Sequence, residues 1–357
     1  MSLTRKIIEW LESLANGWGI PDPLAGMIGS LLGCLIIVAV ILLTVMYVIY
    51  AERKVSALIQ QRLGPMRVGP YGLLQTPMDA LKLLLKEDIM PAACDKVMFT
   101  VAPMLVFATA IVTLLVIPWD KDASGGDLSI GILFISAVAS IAVIGIMMAG
   151  WASNNKWSLL GGLRSAAQMV SYEIPQALAV IALVTWVGSM SMREIAEGQS
   201  GWFFEWYIFR AWLWLPALVY FIASLAELNR TPFDLPEAES ELVSGFNTEY
   251  TGMKFGLFFV GEFANSFIVS LIFATLFLGG WHTGIPALDF IPGPLVIYGK
   301  AWAVLLVIIW VRWTLPRLRV DQLMGFCWKL LIPAGLIGIA IVGVVVMLGW
   351  DYPGMGG

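Results

Sequence analysis

Hydrophobic positions along this chain come in long unbroken runs rather than in alternation. Runs near 27–50, 97–117, 129–150, 164–187, 210–228, 252–279, 299–315 and 327–349 each approach the roughly 20 helical residues needed to cross a hydrocarbon core. The pattern predicts about eight transmembrane helices, with the seventh the shortest. No segment alternates at period two between turn signals, which argues against a closed β-barrel. Two further stretches mix charge into the apolar pattern. Residues 50–62 continue helically from the first run, and 73–88 place Leu74, Met78, Leu81 and Leu85 on one stripe with Asp79, Lys82 and Lys86 beside it. A third, 3–14, has helical apolar spacing and no small-residue cleavage site ahead of the first run, and reads as an interfacial helix. The expected fold is an all-α polytopic membrane protein, one membrane domain over 1–357, with amphipathic surface helices.

Composition agrees: 59% of residues are hydrophobic, 13% are charged, and mean hydropathy is +0.84. Charge adds an orientation. Of the 21 Lys and Arg, fifteen fall in the odd-numbered connections, among them Arg53, Arg62, Arg67, Lys82, Arg230, Arg312 and Arg317. Short cytoplasmic loops retain basic residues, so the odd connections face the cytoplasm and both termini are expected outside it. The long connections 51–96 and 229–251 lie on that face, making it the elaborated side.

Ligand chemistry is sparse. One histidine, His282, and three cysteines, Cys34, Cys94 and Cys327, with no CxxC spacing, leave no set for an iron–sulfur, bis-histidine haem or copper centre. Neither GxxxxGK[ST] nor a GxGxxG after a strand is present, so no nucleotide site and no nucleic-acid partner is expected. Any electrons must be carried by a partner. The loops of the two halves share no pattern that would mark the inverted repeat of a transporter.

Carboxylates carry the sharper signal. The connection Ala226-Glu-Leu-Asn-Arg-Thr-Pro-Phe-Asp-Leu-Pro-Glu-Ala-Glu-Ser-Glu241 holds Glu227, Asp234, Glu237, Glu239 and Glu241. Inside the apolar runs stand Glu173 and Glu262, the former about 14 Å deep at 1.5 Å per residue. An ionisable group there costs roughly 2.5–3.5 kcal/mol on insertion scales and marks a functional position by default. Gln176 lies one turn from Glu173, Asn265 and Ser266 one turn from Glu262, and Ser224 one turn before Glu227. Pro175 is expected to disrupt the helix locally and free a carbonyl. Two readings stand: carboxylates hydrogen-bonded for helix packing, or a graded file that accepts and releases protons. Similarly, Gly64-Pro-Met-Arg-Val-Gly-Pro70 holds Arg67 in a constrained turn, which suits either snorkelling at the surface or the mouth of a pocket.

Taken in order, Ala51-Glu-Arg-Lys, Arg62-Leu-Gly-Pro-Met-Arg-Val-Gly-Pro-Tyr-Gly-Leu-Leu-Gln75, Asp79-Ala-Leu-Lys, Lys86-Glu-Asp, Ser171-Tyr-Glu-Ile-Pro, the acidic connection, Glu249-Tyr-Thr-Gly and Leu315-Pro-Arg-Leu-Arg-Val-Asp-Gln form a specific series. Over nearly its whole length the chain resembles the family of H subunits of bacterial NADH:quinone oxidoreductase, respiratory complex I. The resemblance implies a multi-pass component of the bacterial cytoplasmic membrane that joins the membrane and hydrophilic arms. It implies that the loops 51–96 and 229–251 form, with partner subunits, a chamber where quinone is reduced by an iron–sulfur cluster. Flavin and iron–sulfur cofactors would then reside in partner subunits, and this chain would hold no redox group. Carried over by motif, Arg53, Arg62, Arg67, Asp79, Lys82 and Arg230 line or brace the quinone chamber and its entrance. Asp234, Glu237, Glu239 and Glu241 form the acidic loop, and Glu227, Glu173 and Glu262 the proton path. Two alternatives stay open: the equivalent component of a membrane-bound hydrogenase type of complex, and a stand-alone ion-coupled transporter.

Overall fold

The computed structural model describes residues 22–349, apart from 122, 125, 127, 236–243, 286, 287 and 289. Side chains are described from 35 onward, with 37, 123 and 124 also excepted. The expected interfacial helix at 3–14, both termini, and Glu237, Glu239 and Glu241 lie outside the described residues.

Long helices dominate. They are α1 (Asp22–Ile59), α2 (Gln75–Leu85), α3 (Lys96–Thr113), α4 (Gly131–Ala152), α5 (Lys156–Val187), α6 (Met192–Glu197), α7 (Trp214–Glu227), α8 (Gly252–Phe277), α9 (Gly293–Thr314), α10 (Val320–Phe326) and α11 (Ile332–Met347). A π turn, Cys327–Leu331, joins α10 to α11 into one last span. The strands β1 (Pro118–Asp120) and β2 (Ala123–Ser124) form a small antiparallel hairpin between α3 and α4. Six helical segments among the described residues are long and apolar enough to cross a membrane: α3, α4, α5, α8, α9 and the last span. The first expected run, 27–50, falls within α1, which carries Glu52, Arg53 and Lys54 beyond it.

Boundaries follow caps and prolines. Asp95 accepts the amides of Val97 and Met98 at 3.1 and 3.3 Å and starts α3, while Asn155 accepts the amide of Trp157 at 3.0 Å and starts α5 well before the expected 164. The seventh run is not the shortest. Pro294 stands in the first turn of α9, which therefore begins at Gly293 and is 22 residues long. The short apolar helix is the fifth, α7, because the chain before it, from Phe203 to Leu213, folds into 3₁₀ turns. Pro175 does not break α5, which runs continuously from Lys156 to Val187.

Core packing places α8 in the middle: 72% of its most apolar stretch is buried within the chain, against 28–44% for the other five spanning segments. Those five therefore turn broad apolar faces outward, as lipid or neighbouring helices require. Helix α5 packs against α4, α7 and α11, and α8 against α3 and α9. Helices α4 and α5 cross where Gly150 meets Gly162: a Cβ on Gly150 would lie 2.9 Å from the Ser158 carbonyl oxygen. At the C-terminus of α8, the amide of Gln199 donates to the carbonyls of Thr275 and Leu276 at 3.1 and 3.3 Å. The ammonium of Lys300 donates to those of Leu278 and Gly280 at 2.6 and 3.1 Å. Carbonyls left open by a helix end are satisfied by side chains here.

The opposite face gathers the connections 60–95, 153–155, 228–235, 244–251 and 315–319. Thr251 accepts the amide of Ile89 at 3.0 Å, and Lys254 pairs with Asp88 at 2.8 Å. The amide of Leu318 donates to the Pro232 carbonyl at 3.0 Å. These bonds join the two long connections to the ends of the helices, where the charged side chains converge.

Candidate functional site

Four charges from four separate parts of the chain meet under this face. Glu52 extends from the last part of α1, Arg230 from the connection after α7, Glu262 from α8, and Arg312 from the last turn of α9. Arg230 Nη1 lies 2.6 Å from Glu52 Oε2 and its Nε lies 3.3 Å from Glu262 Oε1, while Arg312 pairs with the other Glu52 oxygen. The Arg230 guanidinium also sits 4.2 Å above the Phe263 ring. Arg230 is 2% exposed and Glu52 8%. Buried charges persist only when paired and hydrogen-bonded, and here two cations balance two anions.

Beside this cluster lies a cavity of about 160 Å³, lined by Ile49, Glu52, Arg53, Phe259, Glu262, Phe263 and Arg312. Arg53 reaches outward to Asp79 at 2.5 Å, and Gln75 donates to the other Asp79 oxygen at 3.0 Å, so the amphipathic helix α2 is pinned to α1. Glu262 also lines a second cavity of about 50 Å³, together with Glu227, Asn229 and Asn265. Glu227 and Asn265 in turn line a third, of about 60 Å³, with Thr109, Thr113, Glu173, Gln176 and Tyr220. A water needs roughly 10–15 Å³ and two to four polar partners. Both inner cavities meet those terms. Glu173 accepts a short hydrogen bond from Ser140 of α4.

Above the file, the acidic connection is held by α5. Gln168 is buried and donates to the carbonyls of Ala226 and Phe233 at 2.8 and 2.7 Å. Phe233 packs against Tyr172 and Phe326, with ring centroids 5.5 and 6.4 Å apart. Asp234 pairs with Arg317 at 2.9 Å. In the same connection Tyr250 stacks on Phe99 at 4.0 Å, and burial pushes its phenol well above the ordinary range, so it stays neutral.

The expected site residues divide into groups. Glu262, Glu227 and Glu173 come together along successive cavities; Arg53 lines the outer cavity and pairs with Asp79, while Arg230 is paired separately with Glu52 and Glu262. Arg62, whose Nε donates to Gln60 at 2.6 Å, is exposed, as are Arg67 and Lys82, so these lie on the surface away from the buried cluster. The Arg67 turn is nonetheless rigid. Gly72 has φ +81°, and a Cβ there would lie 2.2 Å from the Pro65 carbonyl oxygen. Sequence reasoning left Glu52, Arg312, Ser140, Asn229 and Gln168 out of the site. Glu52 had a signal in the Ala51-Glu-Arg-Lys motif, and Arg312 in the basic end of the seventh run; the other three are ordinary polar residues until folded. Among the described residues, no group of three or more His, Cys, Asp or Glu side chains is arranged to hold a metal ion.

Fold and site define a multi-pass α-helical membrane protein whose interior holds a balanced ion cluster and a file of carboxylates. A family model described as NADH dehydrogenase matches residues 32–343. The H subunit of NADH-quinone oxidoreductase from Brevibacillus brevis is 48% identical over 88% of this chain and 93% of its own length. Its counterpart from Chlorobium luteolum is 45% identical over 92% and 93%, and that from Rhodospirillum centenum 46% identical over 87% and 92%. The chain belongs to the H-subunit family of NADH-quinone oxidoreductase, complex I.

Proposed function

We propose that this chain forms part of the quinone-binding chamber of a proton-translocating NADH:quinone oxidoreductase and couples quinone reduction to proton movement. Other subunits of the hydrophilic and membrane arms are its partners, and they carry the flavin and iron–sulfur clusters that deliver electrons. Quinone is the substrate, and the bacterial cytoplasmic membrane, with both termini outside the cytoplasm, is the location. The observation that carries this reading is the sharing of Glu262 by the outer and second cavities and of Glu227 by the second and third.

Reduction of a quinone to a quinol takes up electrons and an equal number of protons. Negative charge developing on a headgroup next to Arg53 and Arg312 competes with Asp79 for the first and with Glu52 for the second. The balance among Glu52, Arg230 and Glu262 then changes, because buried charges respond to each other with little screening. Glu262, Glu227 and Glu173, spaced by cavities that are wide enough for water and carry polar groups in their walls, redistribute protons in response. Asp234, with Glu237, Glu239 and Glu241, supplies the acidic loop, while Arg62, Arg67, Asp79 and Lys82 flank the entrance on the α2 side. Glu173→Gln in the assembled complex tests the reading. Loss of proton pumping is expected, and normal quinone reductase activity with normal pumping would remove Glu173 from the path.

A further inference from the structure

Pro175 has no amide hydrogen, so the carbonyl of Ser171, four residues earlier in α5, has no helical donor. That carbonyl is buried, and a buried acceptor without a partner is costly. Its donor comes from another helix: the Cys327 thiol donates to the Ser171 oxygen at 3.0 Å. One residue on in α5, and one turn back in the last span, the contact is repeated in reverse, for the Tyr172 hydroxyl donates to the Leu323 carbonyl at 2.9 Å. Cys327 is fully buried and begins the π turn Cys327–Leu331, a wide turn in an otherwise regular span. The next residue in α5 after this double contact is Glu173.

We infer that Cys327 is a positioning residue for Glu173: its thiol substitutes for the amide that Pro175 lacks, and so fixes the turn that aims Glu173 at Ser140. This rests on the reading of Glu173 as a member of the proton path. A thiol is a compact donor that fits against an apolar helix face without introducing a charge. Serine in its place keeps a donor of similar size, whereas alanine removes it. Alanine at position 175 would restore a helical amide to the Ser171 carbonyl and make the thiol dispensable.

The test uses the whole complex in proteoliposomes, measuring protons translocated and quinone reduced per NADH for Cys327→Ala, Cys327→Ser, Pro175→Ala, the Pro175→Ala/Cys327→Ala pair, and Glu173→Gln. Cys327→Ala is expected to lower proton translocation about fivefold, the factor carried by one lost hydrogen bond. Cys327→Ser should retain it, and the double variant should match Pro175→Ala alone. A fall that Pro175→Ala relieves and serine prevents is not what simple loss of packing produces. Wild-type translocation by Cys327→Ala, or no relief in the double variant, overturns the assignment while an impaired Glu173→Gln leaves the path intact. Normal pumping by Glu173→Gln overturns the path itself, and the role of Cys327 with it.

Discussion

Arg230 and Glu52 hold each other inside the protein, 2.6 Å apart, although they lie 178 positions apart in the chain. The pair ties the connection after α7 to the end of α1. Removing one partner strands a buried charge, which costs about 3–5 kcal/mol. Arg230→Met is therefore expected to abolish most assembly of the complex, measured as yield and thermal midpoint of purified enzyme. Arg230→Met with Glu52→Gln should recover much of it, because the remaining Glu262 and Arg312 still balance.

Gln168 supplies two of the bonds that hold the acidic connection to α5, and Asn229 supplies a third, to Ser165 at 3.2 Å. Gln168→Leu leaves the Ala226 and Phe233 carbonyls without donors, at about 1–3 kcal/mol each. Amide hydrogen exchange in 226–235 should quicken, with α5 itself remaining protected. Unchanged exchange would mean that the Asn229–Ser165 bond and the packing of Phe233 against Tyr172 and Phe326 suffice.

Arg67 is exposed on a turn whose shape depends on Gly72. Arg67→Ala is expected to raise the quinone KM with assembly intact, and an unchanged KM would return this arginine to lipid contact. Gly72→Ala is expected to act more broadly. It adds backbone strain of about 1–3 kcal/mol and a clash with Pro65, so both KM and assembly should suffer.

Asp79 tests the outer end differently. Its pair with Arg53 is partly exposed, with side chains 38% and 41% accessible, so the bond contributes little to stability, about 0–1 kcal/mol. Asp79→Asn should leave the thermal midpoint near that of the parent and change quinone reductase kinetics. A large loss of stability with normal kinetics would make the pair structural.

Much of this architecture was legible in the chain because the bilayer imposes length and polarity together. Runs such as 252–279 could be nothing shorter than a span, and Glu173 and Glu262 stood out because charge is expensive there. Boundaries were less legible, since Asn155 and Pro294 start their helices outside the most apolar stretch. The partners of the file were least legible. Ser140 reaches Glu173 across a helix crossing, and Glu52 meets Arg312 over 260 positions of chain, so neither relation leaves a periodic trace. Pro175 announced a freed carbonyl, but nothing local indicated that Cys327 would take it.

Glu227 is the member of the file shared by both inner cavities, so its removal tests the central claim most directly. The measurement is protons translocated per NADH by the reconstituted Glu227→Gln complex, with NADH:ferricyanide activity as a control for intact partner subunits. The proton path predicts a loss of translocation of at least about tenfold, below the 10²–10⁴ that a positioned proton-transfer group contributes because water allows partial bypass, with the ferricyanide rate unchanged. Full translocation at a normal quinone reductase rate would contradict it.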